Sequence, residues 1–213
     1  IEEVVFFGLQ YFIKKYILED FENYFFKQPK EKVIREYSRR INNYLGENQV
    51  GTKHIEDLHD LGYIPMVFKA LPEGAAAPVR VPMFTMYNTK PEFFWLTNYF
   101  ETLLSAVIWM PCTSATIAKQ YRKVLDRFAL ETSSVPEFVD WQGHDFSMRG
   151  MAGVDAGLSS SAAHLLSFTG TDTIPAIDFL EQYYNANSDT ELIGGSVAAC
   201  LLYTSPSPRD GLL

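Results

Sequence analysis

Phe146, Arg149 and Asp172 are side chains whose types and spacing suit recognition of a flat, polar ligand. A phenylalanine face stacks on an aromatic ring. A guanidinium grips an anion or a carbonyl oxygen. A carboxylate accepts from an amide NH2. Each lies just past a short strand-like run, in Phe146-Ser147-Met148-Arg149-Gly150 and Thr169-Gly170-Thr171-Asp172-Thr173. In parallel sheets and barrels, chemistry gathers at that end of the strands. The bland alternative is a structural Arg149–Asp172 ion pair beside a packed phenylalanine, and the pattern alone favours it.

Other polar groupings have simpler readings. His54, Asp57 and His59 invite a metal. On a helix the two histidines lie five apart and diverge, so a solvated polar surface is expected. His164 sits among small residues and reads as a hydrogen-bonded structural histidine. Ser159-Ser160-Ser161 could hold a phosphate at a helix start, but capping and close packing are commoner. His144-Asp145 looks like half a catalytic dyad, yet neighbours on a strand point to opposite faces. No Walker loop, GxGxxG, GxSxG or HExxH pattern is present.

The elements that must position these residues follow from periodicity. Glu2 to Ile17 carries apolar residues at helical spacing and predicts an amphipathic helix. Pro29 opens and Gly46 stops a second helix. A third covers Lys53 to Leu61 and stops at Gly62. The period then changes to two. Ile64 to Ala70 predicts a strand, Leu71 to Gly74 a turn, and Val79 to Thr89 one or two more strands. Pro91 opens a helical region that Pro111 is expected to break, with a further helix from about Thr113 to Glu131. Residues 1–132 thus read as an α+β domain around a small antiparallel sheet, followed by a linker over 133–142. From 143 to 199 the pattern is βαβα: a strand at His144 to Ser147, a helix from Gly157 to Leu166, a strand at Ser167-Phe168, and a helix from Thr173 to Tyr184. The overall class is α/β, and two βα units start a barrel without closing one.

With 213 residues, 47% hydrophobic and 21% charged, the chain is too apolar for a disordered one. A net charge of −8 argues against non-specific nucleic-acid binding and against docking on an anionic membrane. Two cysteines, Cys112 and Cys200, exclude a disulfide framework and a four-cysteine zinc site, and favour a cytoplasmic setting. The longest strongly apolar stretch, Leu103 to Cys112, is interrupted by Ser105 and Pro111. It falls short of the roughly 20 residues that cross a bilayer. The first residue is Ile1, and no signal-peptide pattern follows it.

A set of stretches then recurs in order: EEVVFFGLQY at Glu2 to Tyr11, Pro72-Glu73-Gly74, Asn88-Thr89 with Pro91-Glu92, Trp95-Leu96-Thr97-Asn98, and Glu101-Thr102. It continues with Leu130-Glu131-Thr132-Ser133, His144-Asp145-Phe146 with Arg149-Gly150, Ser161-Ala162-Ala163-His164-Leu165, and Phe168 with Gly170-Thr171-Asp172-Thr173. Over residues 1 to about 199 the chain resembles the nicotinamide phosphoribosyltransferase family. The resemblance implies synthesis of nicotinamide mononucleotide and pyrophosphate from nicotinamide and phosphoribosyl pyrophosphate, in NAD salvage. Phe146 would stack on the pyridine ring, Arg149 would contact the carboxamide and the phosphoribosyl phosphate, and Asp172 would accept from the amide and disfavour nicotinate. Mg²⁺ would arrive with the pyrophosphate, ATP would activate the full-length enzyme, and a homodimer would complete the site with a partner tyrosine.

The chain departs from the family pattern in three places. Ser147-Met148 stands where the family has Gly-Tyr. The partner tyrosine lies upstream of Ile1. Ser196-Val197-Ala198-Ala199 begins the motif of the phosphorylated histidine, but Cys200-Leu201-Leu202 replaces its end, so no catalytic residue is expected within the chain. Residues 200–213, ending in two Ser-Pro steps, read as a non-native tail of the kind that translated adapter sequence produces. The expectation is an inactive N-terminal fragment. A nicotinate phosphoribosyltransferase and a non-catalytic dimerisation module are the alternatives.

Overall fold

The computed structural model describes residues 1–196. Residues 197–213, including Cys200, most of the truncated histidine motif and the supposed tail, lie outside the described residues. In chain order the elements are β1 (Glu3–Val5), α1 (Leu9–Phe12), α2 (Lys30–Leu45), α3 (Lys53–Leu61), β2 (Met66–Ala70), β3 (Ala76–Pro78) and β4 (Phe84–Asn88). There follow α4 (Trp95–Thr132), β5 (His144–Asp145), α5 (Val154–His164), β6 (Gly170–Thr171) and α6 (Pro175–Tyr184). Wider π turns, Ile13–Asp20 and Glu22–Phe26, extend α1, and short 3-10 turns occupy Pro91–Phe93, Pro136–Trp141 and Ser147–Gly150. The mixture of helix and strand agrees with the α/β class.

The chain forms two compact units that interleave in sequence. One comprises Leu9–Ala70 and Phe84–Ser105. Its β2 and β4 pair antiparallel, with Phe68 opposite Met86. Its core is aromatic: the Phe12 ring meets Phe100 at 6.2 Å and Phe68 at 6.3 Å, both edge to face. Phe12 and Phe100 are fully buried, which stabilises the unit by about 1.5–3 kcal/mol per ring. Helices α2 and α3 end as the sequence predicts, at Gly46 and Gly62, both with positive φ. Contrary to the expectation of a solvated polar surface, His54 and His59 are half-buried and partnered. His54 Nε2 lies 2.9 Å from the Tyr37 hydroxyl and its ring meets Trp95, while His59 Nε2 lies 2.9 Å from the Gln28 carbonyl.

The second unit comprises Ile1–Gly8, Leu71–Met83 and the chain from Ala106. Here the predicted first helix is corrected. Glu3–Val5 is a strand, paired antiparallel with β3, and helix begins only at Leu9. Val4-Val5-Phe6-Phe7 is β-branched and aromatic, which suits a strand, and Gly8 breaks the backbone with φ +110°. The single antiparallel sheet expected is therefore two separate pairs, β1–β3 and β2–β4.

Pro111 does not break the helix. It lies inside α4, which runs unbroken from Trp95 to Thr132. Its ring packs where Gly8 has no side chain: a Cβ on Gly8 would sit 2.9 Å from Pro111 Cγ. Tertiary packing thus overrides the local cost of an interior proline. With Pro111 inside the helix, the apolar stretch is longer than the sequence suggests. By length and composition, α4 is long and apolar enough to cross a membrane. Its buried positions, Leu96, Phe100, Leu104, Ile108, Cys112, Ala115 and Ala118, recur every three or four residues, and charges crowd Lys119 to Arg127. That is the pattern of a core helix.

The end of α4 anchors the segment that carries the candidate site. Arg122 Nη1 donates to Asp140 Oδ1 at 2.6 Å and to the Ser167 carbonyl at 2.9 Å. Phe168 was predicted in a strand but lies before it. It is buried with Ala118, Ala129 and Val139, and the strand begins two residues later at Gly170. A Cβ on Gly143 would overlap its ring at 2.6 Å.

Candidate functional site

Strands β5 and β6 are parallel, with His144 opposite Gly170 and Asp145 opposite Thr171. Gly195 bridges to Gly170 on the far side, through Thr171 N–H to Gly195 O and Gly195 N–H to Thr169 O, both 2.9 Å. Phe146, Asp172 and Ser196 therefore leave three neighbouring chain segments at the same end. The Asp172 N–H donates to the Asp145 carbonyl at 3.0 Å and prolongs the ladder by one residue.

At that end Phe146, Met148, Arg149, Asp172 and Thr173 line a cavity of about 410 Å³. The three residues singled out from sequence therefore share one cavity. Two features of the bland alternative are absent. Among the described residues Arg149 and Asp172 form no ion pair within 4 Å. Phe146 is 50% exposed and not packed away. The Ser147-Met148 departure forms a 3-10 turn that carries Arg149, with Ser147 N–H on Asp145 Oδ1 at 3.1 Å. Met148 closes over Gly157, whose missing side chain leaves room for it.

Strand alternation sends His144 and Asp145 to different partners. His144 Nε2 lies 2.9 Å from Asp172 Oδ1, and its ring meets Phe146 at 4.6 Å. Asp145 is buried. Its Oδ2 accepts from Thr171 Oγ1 at 3.0 Å and from Thr173 Oγ1 at 3.2 Å. Burial pushes its carboxyl up, but the donors, led by Ser147, outweigh that and leave it below its ordinary value. Hydrogen bonds from His144 and then Ser196 hold the Asp172 carboxyl low as well, and Arg149 adds to the effect. Asp172 is therefore a carboxylate at neutral pH, able only to accept.

The serines act as packing groups. Ser160 Oγ meets Ser114 Oγ, and Ser161 Oγ meets Thr171 Oγ1, each at 2.8 Å. His164 is the structural histidine expected. Its Nε2 donates to the Gly143 carbonyl at 3.2 Å, and burial lowers its pKa. A larger cavity of about 510 Å³ lies between the second half of α4 and α5, lined among others by Tyr121, His144, Ser160 and His164.

Sequence reasoning missed His144 and Ser196 as partners of Asp172. The signal for His144 was available: strand alternation puts residues 144 and 146 on one face. Ser196 carried none, because its position depends on a third segment joining the sheet. Among the described residues no group of three or more His, Cys, Asp and Glu side chains could hold a metal ion.

No family profile matches the chain. Individual proteins do. It is 50% identical over 198 residues to a nicotinamide phosphoribosyltransferase of Acinetobacter baylyi, a match covering 93% of this chain and 39% of that protein. It is 31% identical over 201 residues to one of Xanthomonas campestris pv. campestris, covering 93% of this chain and 40% of that protein. A Mycoplasma pneumoniae protein of the same name is 34% identical over 177 residues, 76% of this chain and 39% of its own. The chain spans about two fifths of the length of these curated relatives.

Proposed function

We propose that this chain is part of a nicotinamide phosphoribosyltransferase, which joins nicotinamide to the phosphoribosyl group of phosphoribosyl pyrophosphate. The observation that carries the reading is the shared cavity of Phe146, Arg149 and Asp172 in a chain so similar to enzymes of that name. A volume of about 410 Å³ suits a pyridine carboxamide. The ring would stack on the exposed face of Phe146. The amide NH2 would donate to Asp172, and the Arg149 guanidinium would hold the carboxamide oxygen or a phosphate. Asp172 is ionised, so it attracts an amide and repels the carboxylate of nicotinate. No observation favours the nicotinate or non-catalytic alternatives.

The reaction is a displacement at the anomeric carbon of the ribose. The pyridine nitrogen forms the new C–N bond as the C–O bond to pyrophosphate breaks, and the leaving oxygen keeps the electron pair. Charge builds on the pyrophosphate and on an oxocarbenium-like ribose. Mg²⁺, which would accompany the pyrophosphate, would neutralise the charge that builds on it. The parallel β5–β6 pair and the Gly195 bridge support reading residues 143–199 as the first strands of an incomplete β/α barrel. Homodimerisation, activation by ATP and a cytoplasmic location belong to the same proposal for the whole enzyme.

The test is to join residues 1–196 to the remaining part of the Acinetobacter baylyi relative. The product is supplied with nicotinamide, phosphoribosyl pyrophosphate and Mg²⁺. Mononucleotide formation is expected from the joined protein and not from the 213-residue chain alone. A folded joined protein that makes none would overturn the reading.

A further inference from the structure

Asp172 is asked to tell a carboxamide from a carboxylate, and its own carboxylate is held on one side. Oδ1 faces two donors, His144 Nε2 and Ser196 Oγ, each at 2.9 Å. Among the described residues Oδ2 has no hydrogen-bond partner. One oxygen is thus fixed by the protein and the other is left for a ligand.

The histidine is itself pinned. Its side chain is only 6% exposed. Its Nδ1 is buried and has no hydrogen-bond partner. A Cβ on Gly170 would lie 2.6 Å from that nitrogen, so only glycine lets the imidazole lie against β6. Asp172 can only accept, so Nε2–H is the donor, and Nδ1 is left facing Gly170. The same ring meets Phe146 at 4.6 Å with a 40° tilt. One imidazole therefore touches both groups proposed to hold the base.

We propose that His144 is a positioning residue for base selection. It fixes Asp172 through Nε2–H so that Oδ2 is presented to the carboxamide, and it backs the Phe146 ring. This rests on the nicotinamide reading. His144 acts through its neighbours and needs no contact with the reacting atoms.

The experiment uses the joined protein described above, labelled with ¹⁵N-histidine, with nicotinamide and nicotinate as probes in ligand-observed NMR. The wild-type protein should show His144 as the Nε2–H tautomer, and Asp172→Asn should shift that signal. Nicotinamide should bind more tightly than nicotinate. His144→Ala should lower the affinity ratio by about tenfold, and His144→Gln, whose amide can reach Asp172, should restore most of it. An Nδ1–H tautomer, or a His144→Ala ratio equal to wild type in a chain with an unchanged amide spectrum, overturns the role of His144 alone. A joined protein that binds neither base overturns the nicotinamide reading, and the specificity role with it.

Discussion

Asp145 and Thr171 lie side by side on the two parallel strands, and the Thr171 hydroxyl donates to Asp145 Oδ2 at 3.0 Å. The same hydroxyl accepts from the Thr173 N–H at 3.0 Å and meets Ser161 Oγ at 2.8 Å. A buried carboxylate is costly unless its lone pairs are used. Here they organise the turn after β6, which is the turn that delivers Asp172.

Asp145→Asn should therefore destabilise the chain by about 1–3 kcal/mol, because the amide NH2 meets hydroxyl and N–H donors. Urea unfolding at neutral pH measures it. The pH dependence has a defined sign. The folded pKa of Asp145 is depressed, so its contribution is complete above the unfolded value of about 3.9 and is lost as pH falls through the folded value. The variant should lack that part of the acid transition.

His164 gives a second, separate acid slope. Burial lowers its pKa in the folded chain. The unfolded chain takes up a proton near pH 6.5 while the folded one resists it. Stability should fall once pH drops through about 6.5 and level off below the folded pKa. His164→Gln keeps a donor for the Gly143 carbonyl and cannot titrate, so thermal melts between pH 7 and pH 5 should show a flatter profile.

Asp172→Asn, placed in the enzyme completed as described above, should raise nicotinate use relative to nicotinamide by about tenfold or more in kcat/KM. Removing the negative charge removes the repulsion, and the asparagine NH2 can donate to a carboxylate. An unchanged ratio would remove Asp172 from base selection.

Gly8→Ala should destabilise the second unit by about 1–3 kcal/mol. The backbone there has φ +110°, and the added methyl would meet Pro111 Cγ at 2.9 Å. The expected result is a lower melting temperature with an unchanged fold by circular dichroism. A variant as stable as wild type would show that the Gly8–Pro111 contact does not matter.

Local signals are decisive where one residue sets the backbone. Pro29 and Gly46 bound α2, and Gly62 ends α3, because a fixed φ or a left-handed residue acts within its own turn. The βαβα order placed Phe146, Arg149 and Asp172 past the ends of neighbouring strands, and the structure finds all three on one cavity. That much follows from the sequence, since strand and helix periods are properties of contiguous residues.

What the fold alone decided depends on residues far apart. Glu3–Val5 carries a helical spacing but pairs with Ala76–Pro78, since a strand partner outweighs local periodicity. Pro111 stays within α4 because Gly8, about a hundred positions away, leaves space for its ring. His144 meets Asp172 across 28 residues because the parallel register sets it against Gly170. Register and close packing are long-range conditions. A one-dimensional pattern names the residues that meet them only after the chain has folded.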